Sequence, residues 1–152
     1  MIASLMSNPY QAALGLLARR EHSAHELRRK LLDKGHPPAE VATVVSDLVR
    51  DKLLSDERFT EMYVHVRTSK GYGPLHIGAA LRERGVSKEL IAQFVDGNDV
   101  AWRKRAAEAR LKRFGHTLPA NFAERARQAR FLGARGFTGA QIGAVLKNDD
   151  WE

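Results

Sequence analysis

Six cations, Arg103, Lys104, Arg105, Arg110, Lys112 and Arg113, crowd one short stretch of this chain against a single carboxylate, Glu108. Guanidinium and ammonium groups at that density neutralise phosphates or meet an acidic protein surface, and either contact weakens as salt rises. Arg125, Arg127, Arg130 and Arg135 follow on the next segment and add to the same charge. A merely solvated basic helix explains the pattern equally well. Placed at steps of about 100°, Val100, Ala107, Leu111 and Phe114 share one face, Arg105 and Lys112 lie opposite, and the other cations fill the sides. The segment is therefore expected to bury an apolar stripe and not to present one focused recognition face.

Catalytic chemistry finds no foothold. There is no phosphate-binding Gly-x-x-x-x-Gly-Lys loop, no His-Glu-x-x-His, no Gly-x-Ser-x-Gly and no dinucleotide fingerprint, so the chain is not expected to be an enzyme. His22 and His25 stand three apart at a helix start, but without further ligands they are expected to be surface residues and not a metal pair. With no cysteine there are neither disulfides nor thiolate metal sites. No cofactor is implied. The opening run Met1-Ile2-Ala3-Ser4-Leu5-Met6 has no basic lead and too brief an apolar stretch for a secretory or membrane segment, so a cytoplasmic location is expected.

The elements that carry these cations repeat. Leu31-Leu32-Asp33-Lys34-Gly35, Leu81-Arg82-Glu83-Arg84-Gly85 and Leu132-Gly133-Ala134-Arg135-Gly136 each read Leu-x-x-basic-Gly. Each is followed by an apolar pair in one register: Val44 and Val45, Phe94 and Val95, Val145 and Leu146. Self-similarity with a period of about fifty residues marks stacked helical modules that complete one another's cores. The expected fold is all-α, three tandem three-helix repeats over residues 8–54, 55–98 and 99–148 forming an elongated, curved array. Net charge is uneven along it: +2 for residues 1–55, −1 for 56–100 and +6 for 101–152.

Cap residues frame the helices. Asn8 before Pro9 starts the first, which should run to about Arg20; Ser23 with Glu26 forms a capping box, and Gly35 is the expected left-handed stop. Val41, Val44, Val45, Leu48 and Val49 make a helical stripe after Pro37-Pro38. Ser55 caps a helix whose inner face is Phe59, Met62, Tyr63 and Val66. Gly71-Tyr72-Gly73-Pro74 joins it to the next, with both glycines expected at positive φ, and Ile77 and Leu81 face inward until Gly85. Tyr72 can pack inward or offer an aromatic contact. Ser87 caps a helix bearing Ile91, Phe94 and Val95. In the third repeat one helix spans about Val100 to Phe114, another starts near Pro119, and Thr138 with Gln141 supplies a further capping box. Almost no sheet is expected.

The ordered combination of these residues resembles the RecX family of regulatory proteins. Asp56-Glu57-Arg58-Phe59, Tyr63-Val64, Arg67, Gly71-Tyr72-Gly73-Pro74, Ile77, Leu81 and Gly85 look like its central signature. Arg19 to Ser23, Glu26-Leu27 and Leu31 look like its first repeat, and Arg130-Phe131-Leu132 with Arg135-Gly136-Phe137 like its third. His76 and Ala80 depart from the pattern, where a basic and an acidic residue are usual. A monomer is expected, and the resemblance implies residence in the bacterial cytoplasm and a protein that lodges in the groove of a RecA filament on single-stranded DNA. There it would restrain strand exchange, ATP hydrolysis and co-protease activity, modulating DNA repair and the SOS response. Arg58, Arg67, Lys70 and Tyr72 then join Arg103, Lys104, Arg105, Arg110, Lys112, Arg113, Arg127 and Arg130 as candidates for contact with RecA or DNA. A rival reading, a duplex-DNA binder of helix-turn-helix type, draws on the same basic three-helix modules.

Overall fold

The computed structural model describes residues 8–147, so the Met1–Met6 run lies outside the described residues. Among them nine α-helices follow one another, with no strand. They are α1 (Pro9–Arg19), α2 (Ala24–Asp33), α3 (Pro38–Arg50), α4 (Asp56–Ser69), α5 (Pro74–Glu83), α6 (Lys88–Phe94), α7 (Val100–Phe114), α8 (Phe122–Ala134) and α9 (Gly139–Leu146). The helix starts follow from their caps. The Asn8 carboxamide oxygen accepts from the Gln11 N–H at 2.8 Å, and Ser55 and Ser87 accept from Arg58 and Leu90. Reciprocal capping boxes at Ser23/Glu26 and Thr138/Gln141 each satisfy two otherwise orphaned donors.

The recurring Leu-x-x-basic-Gly is a helix-stopping device. The N–H groups of Gly35, Gly85 and Gly136 donate three residues back, and those of His36, Val86 and Phe137 reach the motif leucines Leu31, Leu81 and Leu132 at 3.1–3.2 Å. This is the Schellman arrangement, which satisfies the last carbonyls only if the glycine position is left-handed. The three glycines have φ of +91°, +77° and +97°. The leucine occupies the position whose side chain meets the residue after the glycine, so Leu81 with Val86 and Leu132 with Phe137 are buried.

Two of the three copies also dock on the preceding repeat, and they do so alike. The Ser23 hydroxyl donates to Arg84 O at 2.7 Å, and a Cβ on Gly85 would stand 2.4 Å from the His25 Cβ. The Gly73 and Leu75 N–H groups donate to Arg135 O and Gly136 O at 2.7 and 2.9 Å, and a Cβ on Gly136 would stand 2.4 Å from the His76 Cβ. Gly73 corrects the sequence reading. It is absent from the positive-φ glycines; it must be small because the Gly136–Phe137 backbone lies 2.6 Å from where its Cβ would be.

The described residues form two compact units, 8–62 with 81–91 and 63–80 with 92–147. In the first, α1, α2 and α3 pack pairwise around Ala13, Leu27, Leu31, Val41, Val45, Leu48 and Leu54. In the second, α7, α8 and α9 pack pairwise, and Trp102, Ala106, Leu132, Phe137 and Leu146 are buried. Each fully buried aliphatic side chain contributes about 1.5–3 kcal/mol.

Three inner faces differ from expectation. Val49 is half exposed at the end of the α3 stripe, and on α4 Val66 is exposed while Thr60 is buried, its hydroxyl donating to Asp56 O at 2.7 Å. On α7 the difference is a rotation of the whole helix. Val100 is 72% exposed and Leu111 also faces solvent; Trp102, Ala106 and Arg110 go inside. The large indole outweighs the smaller side chains. Finally, α8 begins at Phe122, capped by Asn121, and not near Pro119.

Candidate functional site

In the second unit a groove of about 560 Å³ runs between the last turns of α4 and one face of α7, with α8 behind it. From α4 and its turn come His65, Thr68, Ser69, Lys70 and Gly71; from α7, Arg105, Glu108, Ala109, Lys112 and Arg113; from α8 and its cap, Phe131 and Arg135. The α7 residues fall at i, i+3, i+4, i+7 and i+8, one stripe of a helix. Five cations thus meet one carboxylate around a partly apolar floor.

Aromatic rings hold the guanidiniums in the groove and beside it. Arg67 lies over Tyr63 at 5.2 Å and Tyr72 at 5.5 Å; Arg135 lies over Tyr72 at 4.9 Å and Phe131 at 5.1 Å. Arg113 lies over Phe131 at 5.8 Å and Phe114 at 5.3 Å, and Arg127 over Phe114 at 5.1 Å. Tyr63, Arg67, Tyr72, Arg135, Phe131, Arg113, Phe114 and Arg127 therefore alternate as a ladder of rings and cations. Each such contact is worth about 0.5–1 kcal/mol at an exposed site, and stacking leaves the N–H edges of the guanidinium for a carboxylate or phosphate. The ladder is anchored by backbone. Arg135 donates to Lys70 O at 3.2 Å, and a Schellman turn at Gly71, φ +88°, folds the Tyr72 N–H back to Arg67 O at 3.1 Å. His76, the departure noted in the sequence, stacks on Tyr72 with ring centroids 4.3 Å apart.

Of the nominated residues, Lys70, Arg105, Lys112 and Arg113 line the groove, and Arg67, Tyr72 and Arg127 belong to the ladder. Arg103, Lys104 and Arg130 are exposed outside the groove. Arg58 lies in the other unit, paired with Glu21 at 3.0 Å and donating to Lys52 O. Arg110 is a correction: it is 6% exposed, and its guanidinium donates to Gly115 O, Thr117 O and Gln128 Oε1. It ties the loop after α7 to α8 and is not a surface cation. Phe131 and His65 were not nominated. Their place depends on α4 and α8 meeting across some sixty residues of sequence, which no local pattern reveals.

His22 also departs from expectation, being 1% exposed. Its Nδ1 lies 3.1 Å from Arg20 O and its Nε2 2.9 Å from Lys30 Nζ. A neutral ring with the proton on Nδ1 satisfies both contacts. Burial, with the Arg20 and Lys30 charges, holds the imidazole below its ordinary value. Burial alone would raise the Glu26 carboxyl, but its hydrogen bonds with Arg20 at 3.0–3.1 Å, the Arg20 charge and the Ser23 N–H outweigh it and bring it down. Among the described residues no group of three or more acidic, histidine or cysteine side chains is placed to hold a metal, and no helix is long and apolar enough to cross a membrane.

Successive helices in three-helix groups, with an arginine-lined groove between α4 of the second group and α7 and α8 of the third, define an all-α repeat protein. Family models place it further: RecX first, second and third three-helix domains match residues 10–48, 55–94 and 103–146. A regulatory protein RecX of Halorhodospira halophila is 44% identical over 139 residues, covering 91% of this chain and 86% of the relative. One from Stenotrophomonas maltophilia is 39% identical over 141 residues, covering 93% and 86%. The crystal structure of RecX from Lactobacillus salivarius shares the fold, with a TM-score of 0.76 at 19% identity over 95% of this chain and 96% of that one. The chain belongs to the RecX family of regulatory proteins.

Proposed function

We propose that the protein is a negative regulator of RecA recombinase that binds in the groove of the RecA filament on single-stranded DNA. In this reading it restrains strand exchange, ATP hydrolysis and co-protease activity in the cytoplasm, and so modulates DNA repair and the SOS response. It acts as a monomer and supplies no catalysis of its own. Family membership over nearly the whole chain carries the reading; the arginine groove supports it with a surface suited to an anionic partner. Arg103 and Lys104, exposed outside that groove, are available to DNA.

The test is RecA's single-stranded-DNA-dependent ATP hydrolysis, titrated with this protein at substoichiometric and equal ratios, using RecA from the same organism. Inhibition is expected. No inhibition and no filament binding, with retention on duplex DNA, would replace this reading with that of a duplex-DNA binder.

A further inference from the structure

We infer that the groove between α4 and α7 takes an acidic protein segment and not the phosphate backbone of DNA; the inference rests on the filament reading above. The decisive residue is Glu108. It lies in the middle of the α7 stripe that lines the groove, between Arg105 three residues before and Lys112 four residues after. At 1.5 Å rise per residue those two cations stand about 10 Å apart along the helix axis, with the carboxylate between them. A nucleic-acid strand presents an unbroken row of negative charges, and one laid along this stripe would bring a phosphate against Glu108, a like-charge contact that offsets part of what the flanking cations contribute. A protein segment can alternate its groups. Two carboxylates about 10 Å apart with a cation or N–H donor between them complement the order Arg105, Glu108, Lys112.

Two further observations agree. The floor is partly apolar: Ala109, Gly71 and Phe131 line it, whereas a phosphate track would gain nothing from a phenyl ring whose neighbourhood Arg113 and Arg135 already occupy. The cations best placed for DNA, Arg103 and Lys104, are exposed on α7 but do not line the groove. The helix therefore divides its charge, one side for a protein and another for a polyanion.

The variant Glu108→Arg separates the two occupants, because it replaces the one carboxylate of the stripe with a cation. Glu108 is exposed in mid-helix, and arginine is a good helix former. Binding is measured by fluorescence anisotropy to a labelled oligo-dT, naked and coated with RecA, with circular dichroism checking the fold and Glu108→Gln as the milder companion. The expected result is filament binding weakened about tenfold in Glu108→Arg and less in Glu108→Gln, while naked oligo-dT is bound as well as before or more tightly. Tighter binding to both probes would show a phosphate groove and overturn the inference. Unchanged filament binding in both variants would also overturn it, leaving the regulator reading intact. A wild-type protein that fails to bind the coated oligonucleotide would remove that reading and this inference with it.

Discussion

Alanine placed at each of the three motif glycines should destabilise the protein by very different amounts, although the motif is the same. Gly35, Gly85 and Gly136 share a left-handed backbone, so each substitution carries a common conformational cost of about 1–2 kcal/mol. At Gly35 nothing lies within 4 Å of the new Cβ, and the cost stops there. At Gly136 the Cβ would stand 2.4 Å from the Cβ and 2.5 Å from the backbone nitrogen of His76, atoms that cannot swing away, so the junction itself must shift. Overpacking of that kind adds about 1–3 kcal/mol, for a total of about 2–5 kcal/mol. At Gly85 the new Cβ would stand 2.4 Å from the His25 Cβ, which the backbone holds in place, and 2.7 Å from the ring carbon attached to it, so a similar cost is expected. For a chain of this size 1 kcal/mol moves the melting temperature by about 2–4 °C. Melting followed at 222 nm should thus separate Gly35→Ala, a few degrees down, from the other two, about ten degrees down. Gly136→Ala should also weaken filament binding, since Arg135 reaches the groove from the residue next to it, whereas Gly35→Ala should not. Three equal shifts would mean that φ alone sets the cost and that the contacts at His25 and His76 add nothing.

Other perturbations test other parts of the argument. Lys52 occupies the left-handed place after α3 with φ +62°, so Lys52→Gly should stabilise the protein by about 0.5–1 kcal/mol in urea denaturation; a loss of stability would mean the lysine side chain matters more than the strain. Arg110→Met should cost about 2 kcal/mol by leaving the Gly115, Thr117 and Gln128 oxygens without their donor, while Arg103→Met should be neutral in the same assay. Because the folded His22 titrates below its ordinary 6.5, the unfolded chain takes up that proton first. Stability should be full above pH 6.5 and fall as pH drops from there through the lowered folded value, with a second loss from Glu26 below its ordinary 4.5; a His22→Asn variant that keeps the first slope would assign it elsewhere. Reversing Arg103 and Lys104 to Glu should lower the salt slope of naked-DNA binding by about 2, while Arg105→Glu should act mainly on the filament.

Most of the fold was legible because its signals are local. Asn8, Ser23, Ser55, Ser87 and Thr138 each cap the helix they precede, and the spacing from leucine to glycine is a backbone hydrogen-bond pattern written in residue types. What escaped was decided between elements. The wheel of α7 ranks Val100 and Leu111 as inner residues by hydropathy alone, but Trp102 contributes more area once buried and turns the helix. That rotation carries Arg110 inside, where loop carbonyls accept its hydrogen bonds, and leaves Arg105 and Lys112 on the stripe that lines the groove. Gly73 looked like a turn glycine and is a contact glycine, a distinction visible only when Gly136 is beside it.

The same rotation gives this basic helix one ordered side facing a groove. Had α7 buried Val100, Ala107 and Leu111, its cations would have spread over the sides with no partner element between them. With Trp102 inside, one side of α7 faces the end of α4 across the groove. The segment that closes α4 is Gly71-Tyr72-Gly73-Pro74, and Tyr72 passes the Arg67 and Arg135 guanidiniums on to the ring ladder. The junction that fixes Gly73 against Gly136 is therefore also what places Arg135, so repeat docking and groove geometry are one set of contacts. A change at the junction that leaves both helices folded should lower affinity by loosening the arginines, not by removing a charge. Its mark would be a faster off-rate with an unaltered salt dependence, and a reduced salt slope would instead mean that cations had been lost from the contact.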